Sequence, residues 1–137
     1  MNAEPKPQAF YRVLLIEDHP GLGDVTAEML RLKGQEVVLA RTGREGIALA
    51  ERISPDIVVC DLNLPDIPGR EVAHRLRAAP DSHAVLVGLS AYGLEVVKQE
   101  AGDDFDLYLS KPLDWGKLES HMPRRPRRRN PPATTAG

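Results

Sequence analysis

Five short apolar runs recur along the chain, and their spacing limits the folds that it can adopt. They cover residues 12–17, 36–40, 56–61, 84–90 and 106–110. Segments with helical periodicity lie between them, and strands that alternate with helices form βαβ units with parallel strands and right-handed crossovers. The pattern therefore predicts an α/β protein built on a five-stranded parallel sheet.

The segment after the first run has the punctuation and the periodicity of a helix. Pro20 suits a first helical turn, and Gly34 suits the left-handed residue that follows a helix. Between them, four apolar residues recur at helical spacing and share one face: Leu22, Val25, Met29 and Leu32. This spacing predicts an amphipathic first helix.

Further helix signals fall in the later gaps. Thr42 and Glu45 form a capping box for helix two, and a fourth helix is predicted over about residues 94–101. The last helix can begin after Asp114, but Pro123 cuts it short. Helix three should bury three apolar residues: Val72, Ala73 and Leu76. Together the elements predict a doubly wound sheet in the flavodoxin-like order 2-1-3-4-5, with a shortened last helix.

Charge divides the chain into an acidic body and a basic tail. Five arginines lie between residues 124 and 129, and without them 13 basic residues would face 20 acidic ones. We predict an N-terminal extension at 1–10, a folded domain at 11–122 and a disordered Arg/Pro-rich tail at 123–137. The acidic body argues against nucleic-acid binding by the folded domain.

The apolar runs also bear on location. None approaches the roughly 20 residues that span a bilayer, and the N-terminus contains no apolar stretch like that of a signal peptide. We therefore predict a cytoplasmic protein with no membrane span. The single cysteine, Cys60, lies inside an apolar run and is predicted to be a buried core residue.

Charged residues stand where the apolar runs end. Glu17 and Asp18 follow the first run, Asp61 ends the third, and Lys111 follows the fifth. In open α/β sheets, ligands bind beyond the carboxyl ends of the strands, at the switch point between strands one and three. We expect the four side chains to converge on one crevice there.

Three carboxylates in one small site repel one another, which favours the binding of a cation. No set of histidines and cysteines supports zinc, and hard oxygen ligands suit Mg²⁺. Ser90, at the end of the fourth run, is a candidate ligand for a phosphoryl oxygen beside Lys111. Phosphoryl transfer is catalysed mainly by positioning and charge neutralisation, which these groups can supply.

Several short motifs are weak singly but specific in their order and spacing. Along the chain they are LLIED at 14–18, CDLNLP at 60–65, PG at 68–69, LSA at 89–91 and YLSKP at 108–112. They resemble the motifs of the receiver domains of two-component response regulators, over about residues 12–122. The resemblance implies that Asp61 accepts a phosphoryl group from a histidine kinase or a histidine phosphotransfer protein.

The resemblance also implies a metal site and a switch. Asp18, Asp61 and the backbone carbonyl of Asn63 would ligate Mg²⁺ directly, and Glu17 would act through water. Lys111 would pair with the phosphoryl oxygens, and its bond to the following proline is a candidate cis peptide. The switch itself would consist of two residues that move after phosphorylation: Ser90 and Tyr108.

The implied protein is a signalling switch and not an enzyme with a separate substrate. Its chemistry would be self-phosphorylation and autodephosphorylation at Asp61, and its output would be contact with a downstream protein. Only a short tail follows the predicted domain, so we expect a single-domain response regulator. The last helix of family members is usually longer, and many of them dimerise through the face of the last two helices, whereas Pro123 shortens the last helix here.

Two other functions fit some of the same residues. An aspartate-nucleophile phosphohydrolase would share the sheet, Mg²⁺ and a phosphoaspartate. Proteins that resemble such enzymes have a second Asp two residues after the nucleophile, which acts as acid and base. This chain has Asn63 there, and an amide cannot act as a carboxylic acid. A dinucleotide-binding protein would fit Gly21 and Gly23, but the third glycine of that fingerprint falls at Thr26.

Overall fold

The computed structural model of the chain describes residues 10–80, 83–91 and 104–122. The elements in these ranges are β1 (Arg12–Ile16), α1 (Pro20–Leu32), β2 (Glu36–Ala40), α2 (Gly43–Ile53), β3 (Ile57–Asp61), α3 (Gly69–Ala78), β4 (Val85–Ser90), β5 (Leu107–Ser110) and α4 (Trp115–Ser120). The helix predicted over 94–101, most of the N-terminal extension and the predicted tail lie outside the described residues.

The five strands form one parallel sheet in the order β2-β1-β3-β4-β5, which confirms the predicted topology. The central strand β3 is buried along its whole length, as expected of a strand that is covered on both faces. Cys60 lies within β3 and is buried, as predicted. The register pairs Ile16 of β1 with Cys60 of β3, so these neighbouring strands end side by side.

Alternate residues of the strands feed two separate cores, one on each face of the sheet. Leu15 and Val59 pack on the face that is covered by α1 and α4, where Leu30 and Leu118 are fully buried. The other core lies beneath α3, and it includes the three residues predicted to be buried there: Val72, Ala73 and Leu76. Helices therefore cover both faces, which is the doubly wound arrangement.

Only part of the apolar face predicted for α1 packs on the sheet: Met29 lies against the core and Leu22 is partly buried. The residues that the helix buries fully are mostly smaller: Gly23, Thr26, Ala27 and Leu30. Val25 is 66% exposed and Leu32 is 77% exposed. A β-carbon at Gly23 would lie only 3.4 Å from side-chain atoms of Glu17 and Leu39, so small residues allow α1 to approach the sheet closely.

The helix ends agree with the signals in the sequence. Gly34 has a positive φ of 89° just after α1, and the Thr42 hydroxyl accepts a hydrogen bond from the backbone N–H of Glu45 at 3.1 Å. The Asp114 carboxylate caps α4, which has six residues and is short as predicted. In the part of the chain that the structure describes, no helix is long and apolar enough to cross a bilayer.

Candidate functional site

The three predicted carboxylates meet at the carboxyl edge of the two central strands. Glu17 and Asp18 directly follow β1, and Asp61 is the last residue of β3. One carboxylate oxygen from each residue lies within 4.8 Å of the others. Such a cluster of hard oxygen ligands could hold a metal ion. Glu17 and Asp61 are buried, whereas Asp18 is partly exposed.

Lys111 reaches this cluster from the end of β5. Its Nζ atom lies 3.1 Å from Oδ2 of Asp61 and 3.2 Å from Oε1 of Glu17. One cation therefore bridges two buried carboxylates: the side chain of Asp61 is 7% exposed and that of Glu17 is 2% exposed. The peptide bond between Lys111 and Pro112 is cis, in agreement with the sequence prediction.

Backbone N–H groups hold the second oxygen of each buried carboxylate. The N–H of His19 donates to Oε2 of Glu17 at 3.2 Å, and the N–H of Asn63 donates to Oδ1 of Asp61 at 3.0 Å. Hydrogen bonds of this kind fix the orientation of a carboxylate and partly compensate for its removal from water. Asn63 thus lies directly beside Asp61, on the exposed side of the site.

Burial and charge shift two of these groups in ways that matter for metal binding. Burial, and next the neighbouring charge of Asp61, raises the pKa of Glu17 above its ordinary value. Burial acts against the charge of Lys111, but the charges and hydrogen bonds of Asp61 and Glu17 together outweigh it, so the pKa of Lys111 is raised as well. Lys111 is therefore a permanent cation at neutral pH, set among carboxylates that still repel one another.

Substitution Glu17→Gln should stabilise the metal-free protein at pH 7, because it removes a charge that burial disfavours and that Asp61 repels. The raised pKa means that folding favours protonated Glu17. The stability that protonated Glu17 contributes is fully present below pH 4.5, the pKa of this group in the unfolded chain. It is lost as pH rises through the higher pKa of the folded state. We expect the gain in the free energy of unfolding to be clear at pH 7 and to vanish near pH 4, as measured by urea denaturation.

The comparison needs a control for the loss of a surface charge, which Glu28→Gln provides because Glu28 is exposed on α1. That control should leave the free energy of unfolding nearly unchanged at both pH values. A Glu17→Gln variant that is less stable than the wild type at pH 7 would show that attraction to Lys111 outweighs the repulsion.

The two predicted switch residues occupy neighbouring strands on the far side of the site. Ser90 is buried at the end of β4, and its carbonyl accepts a hydrogen bond from the backbone N–H of Lys111 at 2.8 Å. The ring of Tyr108 lies against Gly88, where an added β-carbon would meet its Cδ1 atom at 3.0 Å. The same ring packs edge-on against Phe105, with centroids 5.6 Å apart.

One contact near the site was not predicted. Asp66, in the loop after β3, accepts hydrogen bonds from the backbone N–H groups of Gly43 and Arg44 at the start of α2, each at 2.9 Å. Burial acts to raise the pKa of Asp66, but these two hydrogen bonds, together with those from the backbone N–H groups of Ile67 and of Asp66 itself, outweigh it and lower the pKa. The partners are more than 20 residues apart, so no local spacing in the sequence pointed to this contact.

Comparison with known proteins identifies a matching family and relatives of this chain. A family model described as the response regulator receiver domain matches residues 13–122. The transcriptional regulatory protein TrcR of Mycobacterium tuberculosis is 32% identical over 113 residues, which cover 81% of this chain and 43% of TrcR. The sensor histidine kinase AtsR of Burkholderia thailandensis is 34% identical over 132 residues, which cover 90% of this chain and 21% of AtsR.

A solved structure has a similar fold. The CheY-like response regulator receiver domain from Methylobacillus flagellatus superposes with a TM-score of 0.70 at 28% identity, covering 82% of this chain and 95% of that one. This chain spans less than half the length of TrcR and AtsR. The likeness to these two longer proteins therefore concerns one domain of each.

Proposed function

The chain belongs to the response regulator receiver domain family, and on this premise we propose that it is a phosphoacceptor switch in which Asp61 receives the phosphoryl group. Receiver domains act with histidine kinases in two-component systems. The observation that best supports Asp61 as the acceptor is its position: it is a buried carboxylate that contacts Lys111 and belongs to a cluster able to hold a metal.

The proposed reaction is transfer from a phosphohistidine of a kinase or a phosphotransfer protein. A carboxylate oxygen of Asp61 forms a bond to phosphorus, and the bond from phosphorus to the histidine nitrogen breaks, so that nitrogen keeps the electron pair. Negative charge then accumulates on the phosphoryl oxygens. Lys111, whose Nζ is 3.1 Å from Asp61, is placed to pair with that charge.

Mg²⁺ is the metal that we propose for this site, because the donors are carboxylate oxygens and a backbone carbonyl. Asp18, Asp61 and the carbonyl of Asn63 would hold it directly, and Glu17 would act through water. When bound, the ion neutralises the charges of the acceptor and of the incoming phosphoryl group. Lys111 by itself offsets only one of the three carboxylate charges.

We also propose how the product changes the protein. A phosphoryl group on Asp61 adds acceptor oxygens and charge at the buried end of β3. Ser90, at the end of the adjacent strand β4, would donate a hydrogen bond to one of these oxygens. Tyr108 would then move inward from its present position over Gly88, and the surface around it would change. A downstream protein would bind this altered surface.

The partner that delivers the phosphoryl group must cover the crevice, and α1 borders it. This helix begins two residues after Asp18, and it presents the exposed side chains of Val25 and Leu32 on its outer face. Apolar side chains that lie on one exposed stripe often mark a contact surface. We therefore propose that the phosphodonor protein packs against the outer face of α1.

Substitution Val25→Glu tests this contact. A charge in an apolar interface should lower the rate of transfer from a phosphorylated donor protein by about tenfold or more. Labelling by a small phosphodonor should stay at the wild-type rate, because that reagent needs no contact with α1. Both rates can be followed by intact mass spectrometry.

Ala48→Glu is the matched control, since Ala48 is exposed on α2, which packs on the opposite face of the sheet. It should leave both rates unchanged. Equal slowing of transfer by Val25→Glu and Ala48→Glu would reject a specific role for α1, and so would wild-type transfer by Val25→Glu.

The alternative of a phosphohydrolase is not favoured, because Asn63 stands where a second carboxylic acid would be needed. Incubation with a small-molecule phosphodonor and Mg²⁺ separates the two functions. One phosphoryl group per chain supports the receiver function, whereas steady turnover of a phosphomonoester would support the phosphohydrolase. The predicted limits of the domain, 11–122, its cytoplasmic location and its autodephosphorylation remain part of this proposal.

A further inference from the structure

The loop after β3, residues 62–68, joins two groups of the proposed metal site to the rest of the fold. Asp61 immediately precedes this loop, and Asn63 lies within it. A backbone carbonyl can serve as a metal ligand only if its peptide group points consistently toward the ion. The contacts that fix the loop therefore bear on the metal affinity.

The two ends of the loop are held against each other and against the sheet. The N–H of Gly69 donates to the carbonyl of Leu62 at 3.1 Å, and the N–H of Leu62 donates to the carbonyl of Leu89 in β4 at 3.2 Å. A β-carbon at Gly69 would lie 2.8 Å from backbone atoms of both Asp61 and Leu62, so only glycine permits this approach. The two ends of the loop, at Leu62 and Gly69, are thus held close together.

Asp66 and Ile67, within the loop, are held separately by α2. The two carboxylate oxygens of Asp66 accept hydrogen bonds from the first two backbone N–H groups of that helix, those of Gly43 and Arg44. Beside it, the buried side chain of Ile67 occupies the space that a β-carbon of Gly43 would need, 2.7 Å away. The carboxylate also satisfies donors that a helix start leaves without partners within the helix.

We infer that Asp66 is a positioning residue for the metal site: its bonds to the start of α2 hold the loop so that Asn63 and Asp61 are set before Mg²⁺ binds. This inference rests on the proposed function. Because both ends of the loop and Asp66 are held in place, the loop has few conformations left to lose when the ion binds. Preorganisation of this kind raises the affinity for the metal.

The test compares two carboxylates, each of which accepts hydrogen bonds from two backbone N–H groups at the start of a helix; only Asp66 lies in the loop after β3. Asp114 caps α4 through hydrogen bonds from the N–H groups of Gly116 and Lys117, and it is outside the loop. Asp66→Ala and Asp114→Ala should both lower the melting temperature by a few degrees. Only Asp66→Ala should raise the dissociation constant for Mg²⁺, by about tenfold, in isothermal titration calorimetry.

Asp66→Asn gives a second measurement if the alanine variant folds poorly, because it keeps one acceptor oxygen and nearly the same volume. It should raise the dissociation constant by a smaller factor. A wild-type dissociation constant in a folded Asp66→Ala or Asp66→Asn variant would overturn the inference and leave the proposed function intact. A wild-type chain that binds no Mg²⁺ would overturn the metal proposal and this inference together.

Discussion

Asp61→Asn is expected to abolish phosphoryl incorporation, both from a small-molecule phosphodonor and from a phosphohistidine protein. An amide cannot replace the carboxylate as nucleophile in forming an acyl phosphate. The substitution is nearly isosteric, and its side-chain oxygen can still accept the N–H of Asn63, so the fold should be retained. Intact mass spectrometry after incubation with the donor and Mg²⁺ measures the effect directly.

Glu51→Gln is the control for this experiment, because Glu51 is an exposed carboxylate on α2, on the face of the sheet opposite to α1. It removes the same charge from the chain and should be labelled like the wild type. A phosphoryl adduct that persists in Asp61→Asn at the wild-type level would place the acceptor on another residue and would reject the proposed mechanism.

Lys111→Met is expected to have the second largest effect, and it should act on stability as well as on labelling. The side chain keeps much of its length but loses the charge that bridges Glu17 and Asp61 at 3.2 and 3.1 Å. Breaking a buried ion pair by removing one partner typically costs several kcal/mol, and we expect the metal-free protein to lose about 3 kcal/mol. Urea denaturation without Mg²⁺ measures this loss.

The rate of phosphorylation should fall about 100-fold in the same variant, since the charge that develops on the phosphoryl oxygens loses its side-chain cation. Added Mg²⁺ should recover part of the lost stability, because it places another cation among the same carboxylates. Lys117→Met, at an exposed position on α4, should change neither property. A Lys111→Met variant with wild-type stability and wild-type labelling would remove Lys111 from the proposed site.

The agreement of sequence and structure is closest where the signal is local. Each strand is a short apolar run, and each ends at or just before a charged or hydroxyl residue, so the positions of Glu17, Asp61 and Ser90 could be predicted directly. The parallel arrangement then brings these ends to one edge of the sheet. The helix caps at Thr42 and Asp114 were equally predictable, because a cap contacts backbone groups only two or three residues away.

The sequence alone predicted the buried face of α1 only in part. Apolar spacing marks a stripe on a helix, but it does not say which of two stripes the sheet will cover. The tertiary structure places Gly23 and Ala27 inward, where the helix lies so close to the sheet that a β-carbon at position 23 would be 3.4 Å from Glu17 and Leu39. Val25 and Leu32 are then left outside.

By itself, therefore, the sequence determined the strand order, the edge at which the chemistry lies, and the identities of the carboxylates and the lysine. Only the tertiary structure decided which distant groups touch: Lys111 with both Glu17 and Asp61, and the Asp66 carboxylate with the backbone N–H groups at the start of α2. The physical reason is distance along the chain. Local patterns record interactions between near neighbours, whereas contacts across 20 to 94 residues arise only when the packed sheet brings the segments together.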